Sequence, residues 1–179
     1  KPILSYAENK GVKIAIENCP MLFTEDEWPG GKNLAISPAI WRELFKRLPS
    51  DMLGLNFDPS HFIWQEMDYI KPLYEFKDKI FHVHYKDIKV NRDARNEVGI
   101  LATPLSYMLP CIPGHGDVDW AEYIRALLEI GYKGAACIEI EDKSFENDKE
   151  SIENSLKISR QYLKQFINFP EKGKKYEKD

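Results

Sequence analysis

The stretch IFHVHYKD, residues 80–87, decides the fold prediction because a short apolar strand pattern ends there in histidines, a lysine and an aspartate. Three other runs have the same form: VKIAIEN at residues 12–18, MLGLNFDPSH at 52–61 and AACIEIED at 135–142. Short apolar runs of this kind are typical of buried strands. The sequence therefore predicts four strands, each followed by polar residues that can bind metals or transfer protons.

Helical patterns lie between these strands and after the last one, with Ser37 and Asp119 as N-caps. Strands that alternate with helices indicate βαβ units and a parallel sheet, so the fold class is α/β. Residues 88–113 are the exception and are predicted to form a long, irregular connection, of the kind that is often functional. The predicted helices are residues 38–48, 68–76, 120–130, with Gly131 as the stop, and 151–167.

Length and composition bound the class of protein. The 179 residues contain 25 Lys and Arg against 29 Asp and Glu, and the net charge of -4 argues against a nucleic-acid partner. Three cysteines without a CxxC spacing favour a reducing, cytoplasmic compartment. No apolar run approaches the roughly 20 residues that a membrane helix needs, so no membrane partner is expected. We expect one domain at residues 1–167, followed by a polar tail at 168–179.

Carboxylates and imidazoles stand at or near the end of every predicted strand. The carboxyl ends of parallel strands meet at one edge of a sheet, where ligand sites gather. Four such strand ends would form a cluster of hard ligands suited to Mn²⁺, Mg²⁺ or Co²⁺, with Zn²⁺ as an alternative. Taken singly, each residue is more often a salt bridge, a cap or a core histidine, and Asp58 could simply cap the next turn. The candidates are Glu17, Asp58, His61, His82, His84, Glu139 and Glu141.

The motifs IEN, FDPSH, HVHYKD, PGHGDVDW and IEIED, in this order and spacing, resemble the second half of the xylose-isomerase-like TIM-barrel superfamily. That superfamily includes ketose 3-epimerases, inosose dehydratases, hydroxypyruvate isomerases and sugar phosphate isomerase/epimerases. The resemblance covers nearly all of residues 12–167 and implies a (β/α)8 TIM barrel, of which this chain supplies about strands 5–8. Residues 1–11 look like a helix entered midway, in agreement with a half-barrel fragment. A half-barrel leaves sheet edges unpaired, so we expect a homo-oligomer or association with the missing half-barrel.

The same resemblance implies which residues hold the metal, because the superfamily's ligands are a Glu, an Asp, a His and a Glu on four successive strands. His84 is preferred over His82 because the family ligand is the second His of its HxH motif. Glu139 is preferred over Glu141 because it directly follows AACI, and Glu141 stays the alternative. The implied metal ligands are Glu17, Asp58, His84 and Glu139, and the implied substrate contacts are His61, His82, Lys86 and Glu141.

The activity that the resemblance implies is that of a divalent-metal-dependent sugar isomerase or epimerase with a small carbohydrate substrate. Such an enzyme abstracts a proton beside a carbonyl and passes through an enediolate, with the metal as Lewis acid. Glu17 and Glu139 would serve as base and acid, and His61 would orient a substrate hydroxyl. Lys86 could polarise an oxygen, although pairing with Asp87 is the favoured role.

Two positions depart from the ketose 3-epimerases, which carry a second Glu where this chain has Phe23 and an Arg where it has Val90. A strict ketose 3-epimerase is therefore disfavoured. In PGHGDVDW, Gly114 and Gly116 precede a helix and could cradle a phosphate. A plain glycine loop capped by Asp119 is favoured instead, which points to an unphosphorylated sugar or glycoside.

Three other functions remain as alternatives. The loop EVGILATPLSYMLPCIPGHGDVDW resembles that of relatives acting on 3-oxo-glycosides, where the same metal site would serve a lyase or deglycosidase. In that case Tyr107, Met108 and Leu109 would cover an apolar aglycone. An AP-endonuclease-like nuclease is less favoured, because such enzymes need more metal ligands and their motif differs from HVHYKD. A non-catalytic barrel module is disfavoured because all four implied ligands are present.

Overall fold

The computed structural model describes residues 2–20 and 31–167. Phe23 and the predicted tail at residues 168–179 lie outside the described residues. Strands and helices alternate along most of the described chain, as predicted. The strands are β1 (Ile14–Glu17), β2 (Leu53–Phe57), β3 (Ile80–Tyr85), β4 (Asp87–Val90), β5 (Met108–Cys111) and β6 (Ala135–Ile138). The helices are α1 (Pro2–Lys10), α2 (Pro38–Arg47), α3 (Ser60–Ile63), α4 (Lys71–Glu75), α5 (Arg92–Val98), α6 (Trp120–Glu129) and α7 (Lys149–Leu163).

All four strands predicted from the sequence pair in one parallel sheet, in the order β1-β2-β3-β6. The register places Glu17 beside Asn56, Asn56 beside His82, and His82 beside Ala135. The α/β prediction is confirmed. Within residues 2–20 and 31–167 the sheet is open, with β1 and β6 at its edges.

The two faces of the sheet have different partners because side chains alternate along each strand. Val83 and Tyr85 of β3 pack in the main hydrophobic core, together with Phe57 of β2 and Trp41 of α2. This apolar face is covered by helices, and the ring of Trp41 meets that of Phe57 edge-on at 5.9 Å between centroids. The alternate positions therefore point to the opposite face, where the polar residues of the strand ends lie.

The connection after β3 is more ordered than predicted. Strands β4 and β5 form an antiparallel ribbon that pairs Asp87 with Cys111 and Val90 with Met108, and α5 lies between them. The prediction of an irregular connection at residues 88–113 was wrong because pairing between strands that are distant in the chain leaves no local periodicity. The ribbon is important below because it stands beside the polar strand ends.

Two of the predicted helix signals act as expected, and one does not. The Asp119 side chain accepts a hydrogen bond from the backbone N–H of Glu122 at 2.9 Å, and Gly131 after α6 has a φ of 69°. Ser37 occupies the N-cap position of α2, but its side chain makes no capping hydrogen bond. Helix α7 begins earlier than predicted because Asp148 caps it. Among the described residues, no helix is both long and apolar enough to cross a membrane.

Candidate metal centre

Four strand ends deliver one ligand atom each to a common point. Ligand atoms of these residues all lie within 4.8 Å of one another. The Nδ1 atom of His84 lies 3.0 Å from Oε1 of Glu17, 2.8 Å from Oε2 of Glu139 and 3.9 Å from Oδ2 of Asp58. The group is Glu17, Asp58, His84 and Glu139, the four residues that the sequence nominated as metal ligands.

Separate hydrogen bonds hold the side chain and the backbone of Asp58. Its side chain is fully buried, and Oδ1 accepts a hydrogen bond from the backbone N–H of Ser60 at 2.8 Å, which is the turn-capping role considered from the sequence. Asn18 fixes its backbone, accepting from the Asp58 N–H at 2.8 Å and donating to the Asp58 carbonyl at 2.9 Å. The second oxygen, Oδ2, is left facing the ligand group. Capping and cluster roles therefore coexist in this one carboxylate.

His84 is oriented by an amide that the sequence analysis did not single out. The Nδ2 atom of Asn56 lies 3.0 Å from Nε2 of His84, so the other ring nitrogen, Nδ1, faces the carboxylates. Burial alone would lower the pKa of His84, but its contacts with Glu139 and Glu17 raise the pKa to about 10. The proton on Nδ1, between the carboxylates of Glu17 and Glu139, is therefore held strongly at neutral pH when only protein groups surround the ring.

Lys86 lies inside the same cluster and is almost fully buried. Its Nζ lies 3.0 Å from Oε2 of Glu139, 3.2 Å from Oδ2 of Asp58 and 3.2 Å from Oε2 of Glu141. Burial opposes its charge, but the attraction of Asp58 and the two glutamates raises the pKa of Lys86 well above its usual value. The favoured pairing of Lys86 with Asp87 was wrong, because the carboxylate of Asp87 accepts from Gly114, Val118 and Trp120 while Lys86 points into the cluster.

His61 and His82, the two other candidate histidines, differ in how they meet the cluster. Nε2 of His61 lies 3.3 Å from Nζ of Lys86, 3.5 Å from Oδ2 of Asp58 and 3.8 Å from Oε1 of Glu17. Burial lowers the pKa of His61, so this imidazole is neutral at pH 7. His82 meets His84 edge-on, with 5.5 Å between ring centroids, and its pKa is lowered by burial and by His84. His82 lies outside the group of ligand atoms.

The glycine loop of PGHGDVDW is occupied by a protein carboxylate. Asp87 accepts hydrogen bonds from the backbone N–H groups of Gly114 at 2.9 Å and Val118 at 3.0 Å. It also accepts from the indole N–H of Trp120 at 2.8 Å. A methyl group at Gly116 would collide with the same carboxylate. The space that could have cradled a phosphate is therefore filled by Asp87, in agreement with the favoured interpretation of a plain glycine loop.

The chemistry of the four ligand residues fits a divalent cation. Oδ2 of Asp58 is buried and accepts no hydrogen bond, although Nζ of Lys86 lies 3.2 Å away. Oε2 of Glu139 faces Nδ1 of His84 at 2.8 Å and Nζ of Lys86 at 3.0 Å. Buried polar atoms are normally satisfied, so the unsatisfied oxygen of Asp58 points to a missing partner. Burial opposes the charge of Glu139, but His84 and Lys86 lower its pKa to about 2 and keep it ionised. Three carboxylates and one imidazole suit Mn²⁺, Mg²⁺, Co²⁺ or Zn²⁺.

Two residues of this centre escaped the sequence analysis. Asn18 positions Asp58, and Asn56 orients His84. Asn56 carried a usable signal, because it stands two residues before Asp58 and therefore on the same face of the strand. Asn18 carried a weaker one, as the last residue of the IEN motif.

A parallel α/β sheet with its polar cluster at the carboxyl ends is the arrangement of TIM-barrel proteins. The model of the family described as "Xylose isomerase-like TIM barrel" matches residues 1–164, and the chain belongs to this family. Membership of the superfamily, inferred from the five motifs, is confirmed.

Curated relatives are matched over only part of their length. The chain is 29% identical over 177 residues to the uncharacterized protein YfiH of Bacillus subtilis, a match that covers 94% of this chain and 51% of that protein. It is 29% identical over 119 residues to the inosose dehydratase of Lactiplantibacillus plantarum, covering 65% of this chain and 38% of that enzyme. The chain thus spans about half, or less, of the length of these relatives.

Solved structures show the same fold at lower identity. The structure of the IolI protein with a bound zinc atom matches with a TM-score of 0.65 at 21% identity, covering 92% of this chain and 54% of that one. The 3-keto-D-glucoside 4-epimerase YcjR from E. coli matches with a TM-score of 0.59 at 16% identity, covering 89% and 50%. At such identities these matches speak for the fold alone.

Proposed function

We propose that this chain forms the metal-binding part of a sugar isomerase or epimerase that removes a proton next to a carbonyl group. The substrate would be a small polyhydroxylated ketone or aldehyde. The proposal depends on one observation: four ligand atoms, three from carboxylates and one from an imidazole, converge from four strand ends to within 4.8 Å of one another. The relative named inosose dehydratase and the structural neighbour named 3-keto-D-glucoside 4-epimerase support a ketone-bearing substrate.

The cation would be held by Glu17, Asp58, His84 and Glu139. When bound, a divalent ion supplies Lewis-acid stabilisation of negative charge that develops on the substrate's carbonyl oxygen, which is worth several kcal/mol. The structural neighbour IolI has a bound zinc atom, which supports a divalent metal in this chain, and the donor set fits manganese, magnesium, cobalt or zinc equally.

Proton transfer would fall to the carboxylates that face the substrate. Glu17 and Glu139 approach His84 from the first and last strands of the sheet, so they flank the space between them. One carboxylate takes the proton from the carbon beside the carbonyl and can return the same proton to the neighbouring carbon, which isomerises the substrate. Epimerisation requires the second carboxylate to enter the step protonated, so that it gives its proton to the opposite face of the same carbon while the first carboxylate keeps the proton that it took. Positioned acid–base groups of this kind contribute about 10²- to 10⁴-fold.

The neighbouring side chains would bind and orient the substrate's hydroxyl groups. His61 is neutral, so its ring can donate to one hydroxyl and accept from another. Lys86 keeps its charge inside the cluster and can donate to a substrate oxygen, with Glu141 beside it. His82 lies farther along β3 from the strand end, and we propose that it supports the ring of His84.

Metal analysis of purified protein tests the site. Wild-type protein is expected to bind about one equivalent of Mn²⁺, Co²⁺ or Zn²⁺, and Glu17→Gln and His84→Ala are expected to lose it. Glu139→Gln and Glu141→Gln form a matched pair two residues apart, of which only the first should lose metal, because Glu141 lies outside the ligand group. Unchanged metal content in Glu17→Gln and His84→Ala would refute the assignment of the metal site.

Activity is tested on the complete protein by solvent exchange. With metal bound, a ketose or an inosose in deuterium oxide should gain deuterium at the carbon beside its carbonyl, and Glu17→Gln should abolish this exchange. Metal binding without any exchange across a panel of ketoses and inososes would refute the proposed chemistry and leave a binding module. A salt-sensitive mobility shift with DNA would instead support the nuclease alternative.

Elimination is the second candidate reaction, and the relative named inosose dehydratase favours it. The first step is the same: a carboxylate takes the proton beside the carbonyl. The group on the next carbon then leaves with its bonding electrons and receives a proton, so that water or an aglycone alcohol is released and an unsaturated ketone remains. Product analysis distinguishes the two reactions, because isomerisation conserves the mass of the substrate whereas elimination releases water or the aglycone.

We also propose that four more strands close the sheet into an eight-stranded barrel, contributed by the remainder of a longer polypeptide or by a second copy. The edge strand β6 supports this, since Ala135, Ala136 and Cys137 are exposed to solvent. Unpaired sheet edges promote association. Light scattering of the 179-residue chain should therefore show a dimer or larger species. A stable monomer would contradict this part of the proposal.

A further inference from the structure

Lys86 presents its ammonium group to two of the oxygens that the proposed metal centre would use. Its Nζ lies 3.2 Å from Oδ2 of Asp58 and 3.0 Å from Oε2 of Glu139. The same two oxygens face the ring of His84, whose Nδ1 lies 3.9 Å from the first and 2.8 Å from the second. The ammonium group of Lys86 is therefore in contact with the ligand set itself.

A divalent cation and this ammonium group would compete for the same oxygens. A bound cation lies roughly 2.0–2.2 Å from a carboxylate oxygen, closer than an ammonium group approaches. Oδ1 of Asp58 already accepts from the backbone N–H of Ser60, so Oδ2 is the oxygen left for either partner. Two positive centres on the same buried oxygens repel each other, because a protein interior screens charge poorly. Cation binding is therefore expected to move the ammonium group of Lys86 away from Asp58 and Glu139.

A position for the displaced ammonium group is already present. Lys86 donates a hydrogen bond to Oε2 of Glu141 at 3.2 Å, and Glu141 lies outside the group of ligand atoms. Both residues line a cavity of about 370 Å³, and the side chain of Glu141 is 45% exposed. The lysine stem is flexible and its charge is compact. The ammonium group can therefore release Asp58 and Glu139 and keep Glu141 without a change in the backbone.

The buried carboxylate of Asp58 needs a positive neighbour whether or not a cation is bound. Its side chain is fully buried, and leaving a buried charge without its partner is costly. Lys86 is almost fully buried as well and lies directly against it. Because the lysine is part of the chain, its charge is present at every concentration of metal.

We propose that Lys86 is an internal counter-ion of the metal centre, which holds Asp58 and Glu139 until a divalent cation binds and then moves to Glu141 at the cavity. The inference rests on the proposed function for the identity of the metal ligands. It adds an order to the chemistry, because Lys86 becomes available to a substrate oxygen only after the cation has taken over Asp58 and Glu139. It also means that the four ligands bind metal less tightly than they would without the lysine.

Metal affinity tests the competition. Lys86→Met removes the charge and keeps a side chain of similar length, so the Kd for Mn²⁺ or Zn²⁺ in titration calorimetry should fall by at least about tenfold. Lys89→Met makes the same change at an exposed lysine that pairs with Asp117, and it should leave the Kd unaltered. A damaged fold would weaken metal binding, so tighter binding has no purely structural explanation. An unchanged or higher Kd in Lys86→Met would overturn the inference, and Lys86→Gln repeats the test if Lys86→Met does not fold.

Urea denaturation tests the role of Lys86 without metal. In EDTA, the urea midpoint of Lys86→Met should lie below that of wild type, because Asp58 has lost its nearest positive neighbour. Saturating Zn²⁺ should remove most of this difference, because the cation replaces the lost charge. Lys89→Met should differ from wild type by the same small amount in both conditions. A Lys86→Met midpoint equal to that of wild type in EDTA would contradict the counter-ion role.

A double-mutant cycle tests where the ammonium group goes. With Lys86 present, Glu141→Gln weakens the acceptor of the displaced ammonium group and should raise the Kd for metal about three- to tenfold, while one equivalent still binds at saturation. In Lys86→Met, the same substitution should change the Kd by less than about twofold. Equal weakening in the two backgrounds would refute the move to Glu141.

Deuterium exchange separates this inference from the proposed function. If Lys86→Met tightens metal binding while wild type exchanges no deuterium into ketoses or inososes, the counter-ion role stands and the proposed chemistry fails. If wild type exchanges deuterium while Lys86→Met binds metal no more tightly, the chemistry stands and the counter-ion role fails. If neither protein binds a divalent cation, both proposals fail.

Discussion

Asp58 and Asp87 are both fully buried aspartates next to core strands, and their surroundings differ completely. Both oxygens of Asp87 are satisfied by neutral donors, the backbone N–H groups of Ile88, Gly114 and Val118 and the indole of Trp120. Asp58 has one oxygen on a backbone N–H, and its other oxygen accepts no hydrogen bond and faces Lys86. Burial is equal at the two sites, so burial alone does not separate them.

The difference shows how a structural acid is told from a candidate ligand. A carboxylate that is satisfied by fixed N–H donors has no capacity left for a cation, and removing it strands those donors. A carboxylate with a buried, unsatisfied oxygen among other charged groups has spare capacity, and such sites are where function concentrates. Asp87 therefore shapes the glycine loop, and we assign Asp58 to the cluster.

The same isosteric substitution at both sites gives the largest expected effect. In Asp87→Asn, one oxygen becomes an NH₂ group that faces N–H donors, so two donors lose their acceptor. We expect Asp87→Asn to lower the free energy of unfolding by about 2–4 kcal/mol. Urea denaturation measures this. A variant as stable as wild type would mean that the loop does not need the carboxylate.

Asp58→Asn should act on metal binding instead of stability. Four carboxylates share this cluster with two cations, Lys86 and protonated His84, so removing one negative charge relieves repulsion while Asn keeps the acceptor for Ser60. We expect the metal-free protein to change in stability by less than about 1 kcal/mol. Metal affinity should fall by more than about 100-fold, beyond the range of outer-shell substitutions. The distinction between the two aspartates would be contradicted if Asp58→Asn lowered the free energy of unfolding as much as Asp87→Asn does.

The orientation of His84 offers a smaller effect at the same centre. Asn56→Leu removes the amide that contacts Nε2 of His84, so the ring can turn away from the carboxylates. We expect metal affinity to fall by about 10- to 100-fold, as is usual when the partner of a ligating histidine is lost. Isothermal titration with Mn²⁺ or Zn²⁺ measures the change. Asn91→Ala, which removes the N-cap of α5, is the control and should leave metal affinity unaltered.

The sheet and the convergence of its polar strand ends were both predictable from the sequence, and for the same reason. Period-2 alternation and the rule that parallel strands end at one edge are local signals, so they could place the seven candidate residues at one edge of the sheet. The family resemblance then implied Glu17, Asp58, His84 and Glu139 as the ligands among them. These signals also predicted the α/β class. Their assignment as metal ligands stays a prediction that the variants above test.

What the sequence missed depends on pairing over distance. Nothing local says that β4 and β5 would pair, or that the carboxylate of Asp87 would reach the loop at Gly114. Lys86 was assigned to Asp87 because they are neighbours in the chain, yet Lys86 contacts the cluster and Asp87 contacts the glycine loop. The contacts of Asn56 likewise needed the register of β2 against β3.

The pH dependence of metal affinity is the smallest expected effect, and it also distinguishes the cluster around Asp58 from the loop around Asp87. The pKa of His84, raised to about 10 by Glu139 and Glu17 despite burial, means that a cation must displace a proton from this ring at pH 7. Because the ligand must be neutral, metal affinity should rise with pH between 7 and 9 by up to about tenfold per unit, with release of about one proton. Titration calorimetry in buffers of different ionisation enthalpy measures that proton.

Asp87 supplies the internal control for this pH series. Its donors are backbone and indole N–H groups, which do not titrate, so the difference in stability between wild type and Asp87→Asn should be equal at pH 7 and pH 9. Metal affinity that is flat over the same range would contradict a proton shared between His84 and the carboxylates. The proton and the cation would then not compete for a ring nitrogen of His84, and the ligand set would have to be drawn without His84.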